Sequence, residues 1–300
     1  MDVSNIYGEK IADYRVSTIT CNARIGAVIN MTAFFENVNI IENIHGLSGF
    51  IWIEYGKHTR GVYPKVRKEL GAARKCFDNQ VTVIYKMLAE NGTTYYPNIK
   101  VFRNGSIQMT GIRTKEDGEL TAKLIADEVE RMRHSSKTQV IVSESVTCIC
   151  TTPEDSSYDE NIQNKIVSTD FTIRMINCDF GVPFKIRRKK LHLLLISPKY
   201  NNVCSFQPVD YPGVKLQYFW NYDTVYAKGG MCMCPSQCFG KGTSKGCGQC
   251  KKVTVSVFDS GKILITGANS FYQVNSAFNY IKQVIYDNCD EVKKTVPMVD

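Results

Sequence analysis

Near the C-terminal end, Val253, Val255 and Val257 alternate with Thr254, Ser256 and Phe258. A period of two places the valines on one face of a strand and the other three on the opposite face. Asp259-Ser260-Gly261 then supplies a hairpin turn, since glycine accepts positive φ at little cost. Ile263 and Ile265 resume the apolar face on the return strand. Beyond Gly267 the period lengthens. Val274, Ala277, Phe278, Ile281 and Ile285 fall on one stripe of a helix, and Ser270 with Gln273 marks its start as a capping box.

The same grammar occurs earlier. Val101-Phe102-Arg103-Asn104-Gly105-Ser106-Ile107-Gln108-Met109-Thr110-Gly111 returns at Val257 to Gly267 as V-F-x-x-G-x-I-x-x-T-G, offset by 156. Val16-Ser17-Thr18 returns as Val167-Ser168-Thr169, offset by 151. Two matches in the same order predict a tandem duplication. The first copy also predicts a helix, opening near Thr114, with Asp117 three residues on, and running to about Arg133. Ile125, Val129 and Met132 line its inner face. Residues 12–135 and 162–288 are read as the two repeats, with 136–161 as a linker. Within that linker 139–150 alternates like an extra strand, and 153–160 is acidic and turn-rich.

Strands with one apolar and one mixed face, each set followed by a helix, predict an α+β fold. Helices cover one face of an antiparallel sheet and leave the other open. With 300 residues, 43% of them apolar, the chain has ample material for a core. Lys and Arg (37) exceed Asp and Glu (29), a balance that suits a polyanionic partner but is shared by many soluble enzymes. No signal peptide is expected from the polar 1–10, and stretches such as 191–196 are too short to cross a bilayer, so no membrane partner is expected. An intracellular protein is predicted, in the nucleus or, if viral, in a cytoplasmic virus factory.

Ser205-Phe206-Gln207-Pro208-Val209-Asp210-Tyr211-Pro212-Gly213, followed by Val253 to Gly267 and its helix, closely resembles the second repeat of TATA-box-binding proteins. Phe102 to Gly111 and the following helix resemble the first. The large insertions and divergent open face resemble family members encoded by large DNA viruses. The resemblance implies a saddle-shaped curved sheet of two tandem repeats. Its convex helices meet general transcription factors and the RNA polymerase machinery, and its concave face sits in the widened minor groove of A/T-rich promoter DNA, with apolar wedges kinking the duplex.

On that resemblance the wedges fall at Phe102 and Phe258, with partners at Tyr211 and Phe77. Planar rings suit insertion because their own stacking offsets part of the unstacking cost. The plainer reading makes them core aromatics. The groove floor falls at Val16, Thr18, Val167, Thr169, Thr110, Leu264 and Thr266, which read equally as good strand formers. The open face departs from the family pattern. Tyr14 and Lys165 stand where an asparagine is usual, and Lys100 and Gln108 replace apolar groove contacts. The run Lys185-Ile186-Arg187-Arg188-Lys189-Lys190 reads as a solvated face or as a contact with phosphates or an acidic partner.

Twelve cysteines are present, and five of them, Cys232, Cys234, Cys238, Cys247 and Cys250, crowd a Cys-rich insert at about 228–252. Cys247-Gly248-Gln249-Cys250 has the form of a zinc-knuckle half-site, and two among Cys232, Cys234 and Cys238 would complete a structural zinc site. Disulfides or free thiols are the alternative. A promoter-binding initiation factor is the leading function. A protein-interaction scaffold that has lost DNA bending is the alternative. An enzyme is disfavoured because the four histidines are scattered without partners.

Overall fold

The computed structural model describes residues 13–41, 46–64, 78–89, 92–135, 139–144, 165–223, 229–235 and 238–294. The chain divides into two compact units, one formed by Ile19–Ile173 and the other by Met1–Thr18 together with Arg174–Asp300.

In the first unit, which takes β1 from Ile19 onward, the order is β1 (Arg15–Ile25), β2 (Ala27–Ile29), α1 (Met31–Asn37), β3 (Gly49–Tyr55), β4 (His58–Gly61), β5 (Gln80–Leu88), β6 (Thr94–Tyr95), β7 (Asn98–Phe102), β8 (Ser106–Ile112), α2 (Lys115–Ser135) and β9 (Ile141–Glu144). An antiparallel sheet runs β1-β8-β7-β5-β3-β4, with β6 paired to the end of β5. β9 falls within the extra strand expected over 139–150 and pairs with β2 in a separate ribbon. The acidic connector at 153–160 lies outside the described residues.

Alternation sets the core. Ile19, Cys21, Ala23, Ile99, Val101, Ile107 and Met109 are buried on one side of the sheet, against Ile125, Val129 and Met132 of α2. Thr114 opens α2, its hydroxyl accepting from the Asp117 N–H at 3.0 Å. Gly118 lets this helix approach closely, since a Cβ there would lie 2.9 Å from the Phe171 ring and 3.2 Å from the Cys21 sulfur.

The second unit holds β10 (Ser168–Gly181) from Arg174 onward, the start of β1, α3 (Arg188–Ile196), β11 (Val203–Ser205), β12 (Val214–Trp220), β13 (Lys251–Val257), β14 (Lys262–Ala268), α4 (Phe271–Asp287) and α5 (Cys289–Val292). Its antiparallel order is β11-β12-β13-β14-β10. Val253, Val255, Val257, Ile263 and Ile265 are fully buried under Val274, Ala277, Phe278, Ile281 and Ile285 of α4. Each such apolar side chain contributes roughly 1.5–3 kcal/mol by leaving water. At the start of α4 the Ser270 hydroxyl accepts from the Gln273 N–H at 3.4 Å. The Gln273 side chain reaches one residue further back, to the Asn269 N–H at 2.9 Å.

Both units use one strand register. Cys21 faces Met109 and Ala23 faces Ile107, with an irregularity between Ile19 and Cys21. Cys178 faces Ile265 and Phe180 faces Ile263, with the irregularity between Ile176 and Cys178. Cys21 and Cys178 therefore hold the same place, 157 residues apart. The valine-serine-threonine match at offset 151 does not survive this register. Val167 precedes β10, and the residue 157 after Val16 is Ile173. Pairing along a whole strand fixes register, and a three-residue identity carries too little of it.

Candidate nucleic-acid interface and metal centre

Antiparallel pairing of Val214 with Val257 brings Tyr211, just before β12, beside Phe258, just after β13. Their ring centroids are 5.8 Å apart, with planes inclined by 58°. Both rings are half-buried. Phe258 shares the strand parity of Thr254 and Ser256, opposite the buried valines. Gly213 lies beneath the pair. A Cβ there would be 2.7 Å from Tyr211 and 3.2 Å from Phe258, so only glycine lets both rings close over the backbone. The Lys215 ammonium stands 3.8 Å from the Tyr211 ring centre, a cation–π contact. Arg188 of α3 donates to the Pro212 carbonyl and lies 3.8 Å from the Asp259 carboxylate. Lys294 pairs with Asp259 and holds its carboxyl below the usual carboxylate range.

Phe102 occupies the corresponding place in the first unit. It follows buried Val101, is itself half-buried, and lies opposite Gln80 across the pair β5–β7. Its expected partner, Phe77, lies outside the described residues. Counted back from Val81 as Tyr211 is from Val214, the matching position is Asp78.

The expected floor residues are distributed unevenly. Val16 and Thr18 of β1 are half-buried on the side opposite its core residues. Thr110 of β8 is exposed, and Leu264 and Thr266 of β14 are half-buried, also on the non-core side. Val167 directly precedes β10 and Thr169 lies at its start, where Asp170 adopts φ 54° and Phe171 beyond it packs on Gly118. The open faces differ in chemistry. In the first unit one cross-strand row is Asn22, Gln108, Lys100 and Thr82. The matching row in the second is Asp179, Leu264, Ser256 and Lys215, where Asp179 pairs with Arg15 at 3.1 Å and Lys262 at 3.9 Å.

The cysteines gather between β12 and β13. The sulfurs of Cys232, Cys234, Cys238 and Cys250 lie within 4.8 Å of one another and form a group that can hold a metal ion. Cys250 is 3.8 Å from Cys232 and 3.5 Å from Cys234. A tetrahedral ion with metal–sulfur bonds of about 2.3 Å separates its ligands by about 3.8 Å, so the set fits. The Gly248 N–H donates to Cys234 at 3.1 Å and lowers its pKa, stabilising the thiolate that a metal requires. Burial pushes the Cys232 and Cys250 thiols up.

Cys247 departs from expectation. It is exposed and outside the group. Gly246 and Gly248, at φ 88° and 73°, turn the chain so that a backbone N–H, not the Cys247 sulfur, meets Cys234. The spacing within Cys-Gly-x-Cys could not distinguish these outcomes. Three members of the group, Cys232, Cys234 and Cys238, come from one short segment, and Cys250 is the fourth. Sequence reasoning gave Gly213 no role of its own, saw Arg188 only within a basic run, and passed over Lys215. Of these, Lys215 was within reach, because alternation along Val214–Trp220 puts it on the open face.

The family model described as transcription factor TFIID (or TATA-binding protein, TBP) matches residues 248–288, which carry β13, β14, α4 and the last metal-group cysteine. Over this segment the chain is similar to TBP, and its similarity to a TBP-like relative extends over most of its length. A relative described as TATA-box-binding protein-like, from Acanthamoeba polyphaga mimivirus, is 29% identical over 276 residues. The match covers 90% of this chain and 64% of that protein, so the chain spans somewhat under two thirds of its relative. Among solved structures, Methanococcus jannaschii TBP is 13% identical with a TM-score of 0.45, covering 92% of this chain and 99% of that one. Among the described residues no helix is long and apolar enough to cross a membrane.

Proposed function

We propose that the chain is a general transcription initiation factor, a binding protein and not an enzyme. It binds A/T-rich promoter DNA through the minor groove, bends it, and recruits general transcription factors and RNA polymerase machinery. In this reading each unit is a copy of one TBP-type repeat, and the protein works in the nucleus or in a viral factory. The observation that carries it is the Tyr211–Phe258 pair, half-buried over Gly213 on the open side of the sheet. A core pair would be enclosed, whereas a wedge needs a stable base and an accessible edge. Phe102 is the wedge of the first unit, and Val16, Thr18, Thr110, Leu264 and Thr266 line the groove floor. Val167, Thr169 and Phe77 remain part of the proposed contact through the resemblance alone.

The thiolates of Cys232, Cys234, Cys238 and Cys250 would hold a zinc ion. Such a set would supply all four ligands of a structural site, whose role would be to hold the loop between β12 and β13.

Phe102→Ala, Phe258→Ala and the double variant test the reading. Base–aromatic stacking is worth about 1–3 kcal/mol per base, so each single variant weakens DNA binding by roughly 5- to 150-fold. The double variant stays folded and no longer bends DNA. A folded double variant that bends like the parent refutes the wedge assignment. The polar row Asn22, Gln108 and Lys100 favours a second reading, a scaffold without DNA bending, which a parent that never bends DNA would support.

A further inference from the structure

The cations around the aromatic pair extend well beyond it. Lys185, Arg187, Arg188, Lys189 and Lys190 lead into the first turn of α3. Lys293 and Lys294 come alongside, because the Arg187 N–H donates to the Val292 carbonyl at 2.7 Å and the Lys294 N–H to the Lys185 carbonyl at 2.8 Å. Seven cations thus share one surface with three carboxylates, Asp259, Asp290 and Glu291. The surplus of four positive charges is half of the net +8 of the whole chain. Arg188 and Lys294 are engaged with Asp259, whereas Lys185, Lys189 and Lys190 are exposed.

Such crowding is unfavourable in the isolated chain, and a polyanion relieves it. Placement indicates which polyanion. Arg188 donates to the carbonyl of Pro212, next to Tyr211, and Asp259 follows Phe258, so the basic surface begins one residue from each ring. A duplex seated on the rings would bring its phosphates toward this surface. Building on the DNA-binding reading, we propose that the α3–α5 surface binds the sugar-phosphate backbone of the duplex beyond the aromatic pair. It acts as a sequence-independent clamp that positions the DNA without reading it.

The test uses the full chain and the triple variant Lys185→Gln, Lys189→Gln, Lys190→Gln, none of which touches the rings or the core. Affinity is measured against salt on two A/T-rich duplexes, one limited to the wedge contact and one extended by a helical turn at each end. Each phosphate contact contributes about 0.9 to the slope of log affinity against log salt, so the variant loses up to about 2.7 on the extended duplex. It matches the parent on the short duplex, and the corresponding Lys→Arg triple restores the slope. An unchanged slope on the extended duplex overturns the proposal. So does equal loss on both duplexes. A variant that keeps its DNA slope but loses binding to polyglutamate overturns it in favour of an acidic protein partner. A parent that binds neither duplex overturns both this proposal and the DNA-binding reading, whereas an unaffected variant overturns this one alone.

Discussion

Replacing Cys250 or Cys247 with serine separates the metal centre from its surroundings. Cys250 is buried, 3.8 Å from Cys232 and 3.5 Å from Cys234, whereas Cys247 is exposed and apart. Purified protein is expected to carry one zinc per chain. Cys250→Ser releases it, and Cys247→Ser retains it. At about a thousand times its dissociation constant a ligand bound only to the folded state stabilises by about 4 kcal/mol. For a unit of this size that corresponds to about 8–16 °C in Tm. The loss reaches α4, because Ser244 in the same loop accepts a buried hydrogen bond from Gln273 at 3.0 Å. Metal analysis, calorimetry and the sulfur-to-metal absorption of the cobalt-substituted protein provide the assay. A Cys247→Ser variant that loses metal as Cys250→Ser does would refute the ligand assignment. Protein prepared under reducing conditions without zinc would refute the centre itself.

Other outcomes follow from single positions. Burial pushes the thiols of Cys21, Cys178 and Cys204 up to about 12, so at neutral pH alkylation of native protein should spare them and modify Cys247. Because those folded-state values exceed the ordinary thiol value, their contribution is intact below about pH 8.5 and is lost progressively as pH rises toward 12. A stability profile that rises across that window would contradict the burial. Gly213→Ala places a Cβ 2.7 Å from the Tyr211 ring and should displace it, leaving a folded protein with roughly tenfold weaker DNA binding. Unchanged affinity would show that the ring pair is not part of the contact.

The second hairpin and α4 were legible because several independent signals agree there. Valine alternation, the Asp-Ser-Gly turn, the Ser270 cap and the apolar stripe all indicate one arrangement, and β13, β14 and α4 follow it. α2 was legible for the same reason, from Thr114 to its inner face. The registers of β1 and β10 were not. They depend on irregularities between Ile19 and Cys21 and between Ile176 and Cys178, and a bulge leaves no composition signal. That Cys247 lies outside the group of four was not legible, because the aim of its sulfur depends on the φ of flanking glycines, which spacing does not encode. Arg188 was visible only as part of a charge run. Its reach to Pro212 depends on where α3 packs.

The central claim is that this chain bends A/T-rich DNA. Fluorescence energy transfer between dyes at the ends of a duplex measures that directly, with the parent protein titrated onto A/T-rich and G/C-rich duplexes of equal length. The minor groove distinguishes chiefly A·T from G·C, and bending brings the ends together. The account predicts a saturable rise in transfer on the A/T-rich duplex at concentrations that leave the G/C-rich duplex unbent. Binding without any change in transfer on either duplex would contradict it.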